Sequence, residues 1–235
     1  MTAVTERVPS ALRQAVRDSA PIVVAYVPFG LTLGASMAAT RVPRLIAWSS
    51  SPLLFGGAAQ LVSVRLIDAG SNVAVVVLAA LVVNARLLLY GAALAMHVAD
   101  WPARWRWAGA YLLVDPVYAL AAARFGRPGG GGSARERTGY YLATGVMFWT
   151  AWMAMTGAGV LLAGVLPHSL RLDLAAPLTF LLLLLPMLTT RAARAAAAAG
   201  GIVSAVGSGL PLGLGLLIGA AGGIAVGAYV GGRHG

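Results

Sequence analysis

The sequence predicts an all-α fold: a polytopic transmembrane helix bundle of about seven or eight spans, the second of them interrupted. Three observations predict it. The 235 residues are 59% hydrophobic and only 10% charged, against about 25% charged in a soluble domain, so the chain cannot clothe itself with a water-facing surface. Its mean hydropathy is +0.82, and its apolar residues fall in runs near the roughly 20 that one bilayer crossing takes. The 30 glycines sit inside those runs, where close packing of membrane helices favours small side chains.

Residues 1–19 carry Arg7, Arg13 and Arg17 and read as a cytoplasmic tail, an interfacial helix capped near Ser10. A single transmembrane domain then covers residues 20–231, and 232–235 form a C-terminal tail. The first span runs from about Ala20 to Thr40. Small residues from Ala35 to Ala39 resemble a signal-peptide cleavage site, but Pro28 and the Gly30/Gly34 pair favour a retained span. The second, about Trp48 to Asp68, is interrupted by Pro52, Gly56 and Gly57 and contains Gln60. A third covers about Asn72 to Val98 and a fourth about Trp107 to Arg124. The loop with Pro128 and Gly129 to Gly132 lacks the Lys-Ser/Thr of a phosphate cradle and reads as a linker. The fifth span, about Thr138 to Leu166, is rich in aromatics, and a sixth covers about Leu174 to Thr190. Residues 195–231 divide at Gly209–Pro211 into two spans, with one long re-entrant segment as the alternative.

All 17 basic residues are arginine, against seven acids, for a net charge of +10. They fall between apolar spans rather than on one basic face, so they orient the chain in a bilayer and do not point to nucleic acid. With eight spans and the N-terminus inside, the cytoplasmic segments hold ten arginines, at 7, 13, 17, 124, 127, 135, 137, 191, 194 and 233. The opposite loops hold five: Arg41, Arg44, Arg104, Arg106 and Arg171. That bias places the N-terminus in the cytoplasm of a multi-pass protein of the cell membrane. Cysteine is absent, which excludes disulfides and thiolate metal sites. His97, His168 and His234 are scattered, so neither a metal nor another cofactor is expected. A short echo, Pro52-Leu53-Leu54-Phe55 and Pro177-Leu178-Thr179-Phe180, recurs at an offset of 125 residues and maps Gly34 onto Gly159.

Function belongs where the chain tolerates an expensive residue. Arg86 lies about 14 residues into the third span, roughly 21 Å along it. An arginine at that depth costs about 2.5–3.5 kcal/mol on insertion scales, so it needs a partner or a wet cavity. Helical spacing puts Tyr90, Ala93 and His97 on its stripe, while Asn84, about 200° around the helix, faces another neighbour. The fourth span presents Trp107, Tyr111, Asp115 and Tyr118 as a second stripe. Pro116 denies Leu112 its helical donor beside the Asp115 carboxylate, and such broken backbone is tolerated only inside protein or beside water. Both stripes point to a polar cavity between spans three and four. An Arg86–Asp115 pair that only fixes helix packing is the bland alternative, and Gln60 reads equally as an interhelical hydrogen bond or a ligand contact.

Four segments resemble the AzlC family, the large subunit of branched-chain amino acid exporters. They are Ala20-Pro21-Ile22-Val23-Val24-Ala25-Tyr26-Val27-Pro28, Phe55-Gly56-Gly57-Ala58-Ala59-Gln60-Leu61, Asn84-Ala85-Arg86-Leu87-Leu88-Leu89-Tyr90-Gly91 and Leu112-Leu113-Val114-Asp115-Pro116-Val117-Tyr118-Ala119. The family often has histidine where this chain has Leu87 and glutamate where it has Pro116. The resemblance implies proton-driven export of branched-chain or other apolar amino acids across the cell inner membrane, together with a small AzlD-type membrane partner. It also fits the residues. A zwitterion needs a cation, an acceptor and an apolar pocket. Arg86 is expected to take the carboxylate in bidentate fashion, and Asp115 the ammonium, or a proton when the site is empty. Tyr26, Gln60, Tyr90 and Asn84 complete the expected substrate site, with Phe29 or Phe55 against the side chain.

Two other classes remain. A membrane hydrolase needs a Gly-x-Ser-Gly serine and a base at depth. Gly34-Ala35-Ser36-Met37 fails the last glycine and Gly207-Ser208-Gly209 has no base nearby in sequence, so an enzyme is not expected. A non-transporting assembly subunit, held by a structural Arg86–Asp115 pair, would look the same from sequence.

Overall fold

The computed structural model describes residues 2–127, 129, 132–164, 181, 184, 188, 190–210 and 214–232, with residues 2–10, 216 and 217 described by backbone alone. Among these residues the chain is helical throughout, without strands. The helices are α1 (Thr2–Ala38), α2 (Arg44–Leu53), α3 (Gly57–Asp68), α4 (Val73–Val98), α5 (Ala103–Tyr111), α6 (Asp115–Phe125), α7 (Ala134–Leu162), α8 (Arg191–Val206) and α9 (Leu214–Gly232). Three segments are long and apolar enough to cross a membrane: Ala11–Ala38 within α1, then α4 and α7. The expected cap at Ser10 does not form, because α1 runs through it without a break.

Small residues set the frame. α1 and α7 lie side by side and run the same way: Asp18 meets Tyr140, Tyr26 meets Phe148 and Phe29 meets Trp152. Further along, Gly34 and Gly159 face each other so closely that a Cβ on Gly34 would fall 2.8 Å from the Gly159 Cα. The two glycines that the 125-residue echo aligned are therefore in contact, whereas residues 177–180 lie outside the described part. α4 runs against both helices. Its end reaches the start of α7, where Arg137 donates to the His97 carbonyl (3.3 Å) and pairs with Asp100 (2.8 Å). We call the face where α1 and α7 begin, and α4 ends, the proximal face.

The second and fourth expected spans are both interrupted, and their contacts correct the expectation that they cross. α2 follows the distal end of α1 after five residues, and α3 ends four residues before the distal start of α4. Both ends of α2–α3 therefore lie at the distal face. Likewise α5 follows the proximal end of α4, and α6 ends where Arg124 meets Gln14 of α1 and the Tyr140 ring of α7. The pairs Arg86–Asp115, Tyr90–Tyr118 and His97–Phe125 show α6 running parallel to α4, not against it. With 9 to 12 residues each, these helices reach about 14–18 Å, roughly half of a 30 Å hydrocarbon core. Each pair dips in and returns. The continuous stripe expected from Trp107 to Tyr118 is thus split, Trp107 and Tyr111 belonging to α5, Asp115 and Tyr118 to α6.

The reversals have local causes. Pro52 in the last turn of α2 lacks an N–H, and Gly56 and Gly57 each cost a helix about 1 kcal/mol relative to alanine. At the other tip Pro116 cannot sit inside a helix but fits the first turn of one, so α6 starts at Asp115. One long helix plus one re-entrant pair, α1 with α2–α3, is followed by the same arrangement upside down, α4 with α5–α6. That is the inverted-repeat pattern of many transporters.

Topology also moves two arginines. Arg104 and Arg106, expected opposite the N-terminus, stand at the start of α5 on the proximal face. The expected split of residues 195–231 is present: a 3-10 turn at Gly207–Gly209 separates α8 from α9. Their seam is glycine and alanine, so tight that a Cβ on Gly223 would lie 2.8 Å from the Ala196 carbonyl oxygen. The sixth expected span falls almost wholly outside the described residues.

Candidate functional site

The tips of the two re-entrant pairs meet at mid-depth. Tyr111, the last residue of α5, donates its hydroxyl to the Pro52 carbonyl of the opposite pair at 2.6 Å, and its oxygen accepts from Trp149 Nε1 at 2.7 Å. A second tyrosine, Tyr141, donates to the Gly109 carbonyl at 2.9 Å. Carbonyls freed by the breaks thus find donors on neighbouring elements, as backbone at membrane depth requires.

α4 supplies polar side chains to both tips, two to one and one to the other. Arg86 Nη2 donates to Asp115 Oδ2 at 3.0 Å, and the Tyr90 hydroxyl donates to Oδ1 at 3.1 Å. Asp115 lies in the first turn of α6, where a negative charge complements the helix dipole. Tyr118 stacks on Tyr90, rings 4.2 Å apart and 5° from parallel. The pair is not sealed, since Arg86 keeps 31% and Asp115 20% of its side-chain exposure. Asn84, one half-turn away, faces Gly56 at the α2–α3 tip, and its Oδ1 is buried with no hydrogen-bond partner among the described residues.

Gln60 stands apart. Fully buried, it donates to Ser50 and Ser51 Oγ (2.8 Å each) and accepts from Trp152 Nε1 at 3.1 Å. Ser51 donates onward to Thr156 Oγ1 at 3.2 Å. The amide clamps α2, α3 and α7 together, and its position is that of an interhelical bond.

Between the tips lies a small cavity of about 30 Å³. Tyr26, Gly57, Asp115 and Pro116 line its polar side, and Phe29, Phe55, Phe148 and Trp152 its apolar side. The space can hold water but no amino acid, so anything larger enters only when the tips part. Arg86 and Tyr90 reach Asp115 from α4 and are not among the residues that line the cavity. Of the expected site residues the structure brings together Arg86, Tyr90 and Asp115, puts Tyr26 across the cavity, Asn84 at the other tip and Gln60 in the clamp. Sequence reasoning did not single out Gly57, Phe148, Trp152 or Met155 as lining. The last three recur at i, i+4 and i+7 on one face of α7, a signal that was available.

Comparison with known proteins identifies the family. The chain matches the family described as AzlC protein over residues 21–166, which runs from the middle of α1 to the end of α7 and takes in both tips. It is 26% identical over 152 residues to the inner membrane protein YgaZ of Escherichia coli (strain K12). That alignment covers 62% of this chain, and the chain spans 60% of the relative's length. No solved structure matches.

Proposed function

Because the chain belongs to the AzlC family of membrane proteins, we propose that it is the large subunit of an exporter of branched-chain or other apolar amino acids. In this reading it works with a small AzlD-type membrane partner, draws on the proton gradient and makes or breaks no covalent bond. One observation carries the proposal: a carboxylate, Asp115, stands at the junction of two re-entrant tips beside an aromatic-walled cavity. A protein built only for packing gains nothing from breaking two elements at mid-membrane and exposing an ion pair there.

The α2–α3 pair is rooted in the distal face and α5–α6 in the proximal face. Parting of the first tip would open the cavity one way, and parting of the second the other way, which is alternating access. The substrate ammonium pairs with Asp115, and its side chain lies against Phe29, Phe55 and Phe148. Arg13, Arg17, Arg104, Arg106, Arg124, Arg127, Arg135 and Arg137 all lie at the proximal end, against Arg41, Arg44 and Arg65 at the distal end. That bias orients the proximal face, and the N-terminus, toward the cytoplasm.

The test is efflux of labelled L-valine from proteoliposomes holding the full chain and its small partner. Asp115→Asn and Arg86→Lys should each lower efflux at least about tenfold, equivalent to about 1.4 kcal/mol, without loss of assembled protein. Unchanged efflux would remove the pair from the mechanism. A wild-type complex that assembles but moves no amino acid would favour the assembly-subunit reading.

A further inference from the structure

The two tips differ in how they treat a helix N-terminus. The first N–H groups of any α-helix lack intrahelical acceptors, and the macrodipole gives that end a partial positive charge. α6 answers this with its own Asp115. Neither helix has a side-chain cap, but α3, which starts at Gly57, also has no acid in its first turn. Gly57 faces the cavity with nothing but backbone, because a Cβ there would fall 2.6 Å from Phe29 Cε1 and 2.9 Å from Trp152 Cη2.

A second observation points to a ligand at this end. Tyr26 lines the same cavity and keeps only 7% exposure, and its hydroxyl has no hydrogen-bond partner among the described residues. Orphaned buried hydroxyls are rare in native proteins. A buried donor that lines the same cavity as a helix start with no acid of its own makes a place for an anion. The guanidinium of Arg86, by contrast, is already engaged by Asp115 and is not among the residues that line the cavity.

We propose that the substrate carboxylate binds at the N-terminus of α3, accepting from its first backbone N–H groups and from the Tyr26 hydroxyl. Arg86 is then a positioning residue that holds Asp115 for the ammonium. The assignment replaces the expectation that Arg86 takes the carboxylate, and it rests on the amino-acid transport reading above. It names the ligand class by its two ends: an α-amino acid, carboxylate on one re-entrant tip and ammonium on the other.

Binding to the full complex separates the alternatives with three probes: L-valine, isobutylamine, which lacks the carboxylate, and 3-methylbutanoate, which lacks the ammonium. Tyr26→Phe should weaken L-valine and 3-methylbutanoate about tenfold and leave isobutylamine unchanged. Ala58→Asp, which supplies α3 with an anion of its own, should do the same. Arg86→Gln should weaken L-valine and isobutylamine by similar factors. If Arg86→Gln instead spares isobutylamine while weakening L-valine, the guanidinium is the carboxylate ligand and the assignment is overturned. Equal weakening of all three probes by Tyr26→Phe also overturns it. A wild-type complex that binds none of the probes overturns the transport reading itself, and the assignment with it.

Discussion

The α2–α3 and α5–α6 pairs occupy equivalent places in an inverted arrangement, yet they are held in opposite ways. The α5–α6 tip is fixed by charge: Asp115 is gripped by Arg86 and Tyr90 of α4. The α2–α3 tip is fixed by neutral bonds to α7 through Gln60, and it leaves its own helix start without a counter-charge. One tip carries a carboxylate in the first turn of its helix, and the other has no acid there. Two similar scaffolds thus present complementary chemistry to one cavity, which suits a ligand bearing both charges.

Replacing the neutral clamp should have the largest effect. Gln60→Leu keeps the volume but breaks three hydrogen bonds and leaves the Trp152 N–H buried without an acceptor. The expected loss is about 3 kcal/mol, seen as reduced resistance of the purified complex to unfolding. A loss below about 1 kcal/mol would show that the clamp does not hold the tip. The two adjacent glycines offer the next contrast. Gly57→Val must push aside Phe29 and Trp152, and overpacking of that kind costs about 1–3 kcal/mol, so efflux should fall about tenfold to a hundredfold. Gly56→Ala meets the Asn84 amide, nearest at Oδ1, 3.3 Å away, and should change efflux less than about threefold on the same barrier scale. Similar losses from both would mean that the turn, not the cavity, needs glycine.

Smaller effects follow from the latch between the tips. Tyr111→Phe removes its bonds to the Pro52 carbonyl and to Trp149 Nε1, about 1 kcal/mol each, and should raise the fraction of molecules with parted tips. Since the chain has no cysteine, a single cysteine at Leu54 can report this as faster modification by a water-soluble maleimide. An unchanged rate would mean that the latch does not limit opening. The smallest effect belongs to the Arg137–Asp100 bridge at the proximal rim, where Asp100 is 49% exposed. Asp100→Asn should cost less than about 1 kcal/mol and leave efflux intact. A larger loss would extend the charge-held region from the tip to the rim.

Much of this was legible in the residues. Apolar runs gave away α1, α4 and α7, Pro52 with Gly56 and Gly57 marked the first break, and the depth of Arg86 and Asp115 announced their meeting. Direction was not legible. Hydropathy and periodicity report which face of a helix is apolar, and Trp107 to Arg124 sums the same whether the chain crosses or turns back at Val114. Only side-chain pairings such as His97 with Phe125 distinguish the two. The role of Tyr26 was half visible. Its position in a conspicuous segment could be read, but the orphaned hydroxyl and the uncapped start of α3 exist only once three helices are assembled around it.

The crossing of α1 and α7 at Gly34 and Gly159 has a mechanical corollary. Backbones in direct contact cannot slide or rotate without collision, so these two helices form a spine whose outline in the bilayer stays constant through the cycle. In the proposed transport cycle, the parting at the cavity is left to α2–α3 and α5–α6, short inserts each rooted in one face. Turnover should then depend little on acyl-chain length or lateral pressure, unlike a carrier that rocks whole bundles through the lipid. Proteoliposomes of graded thickness would measure that indifference.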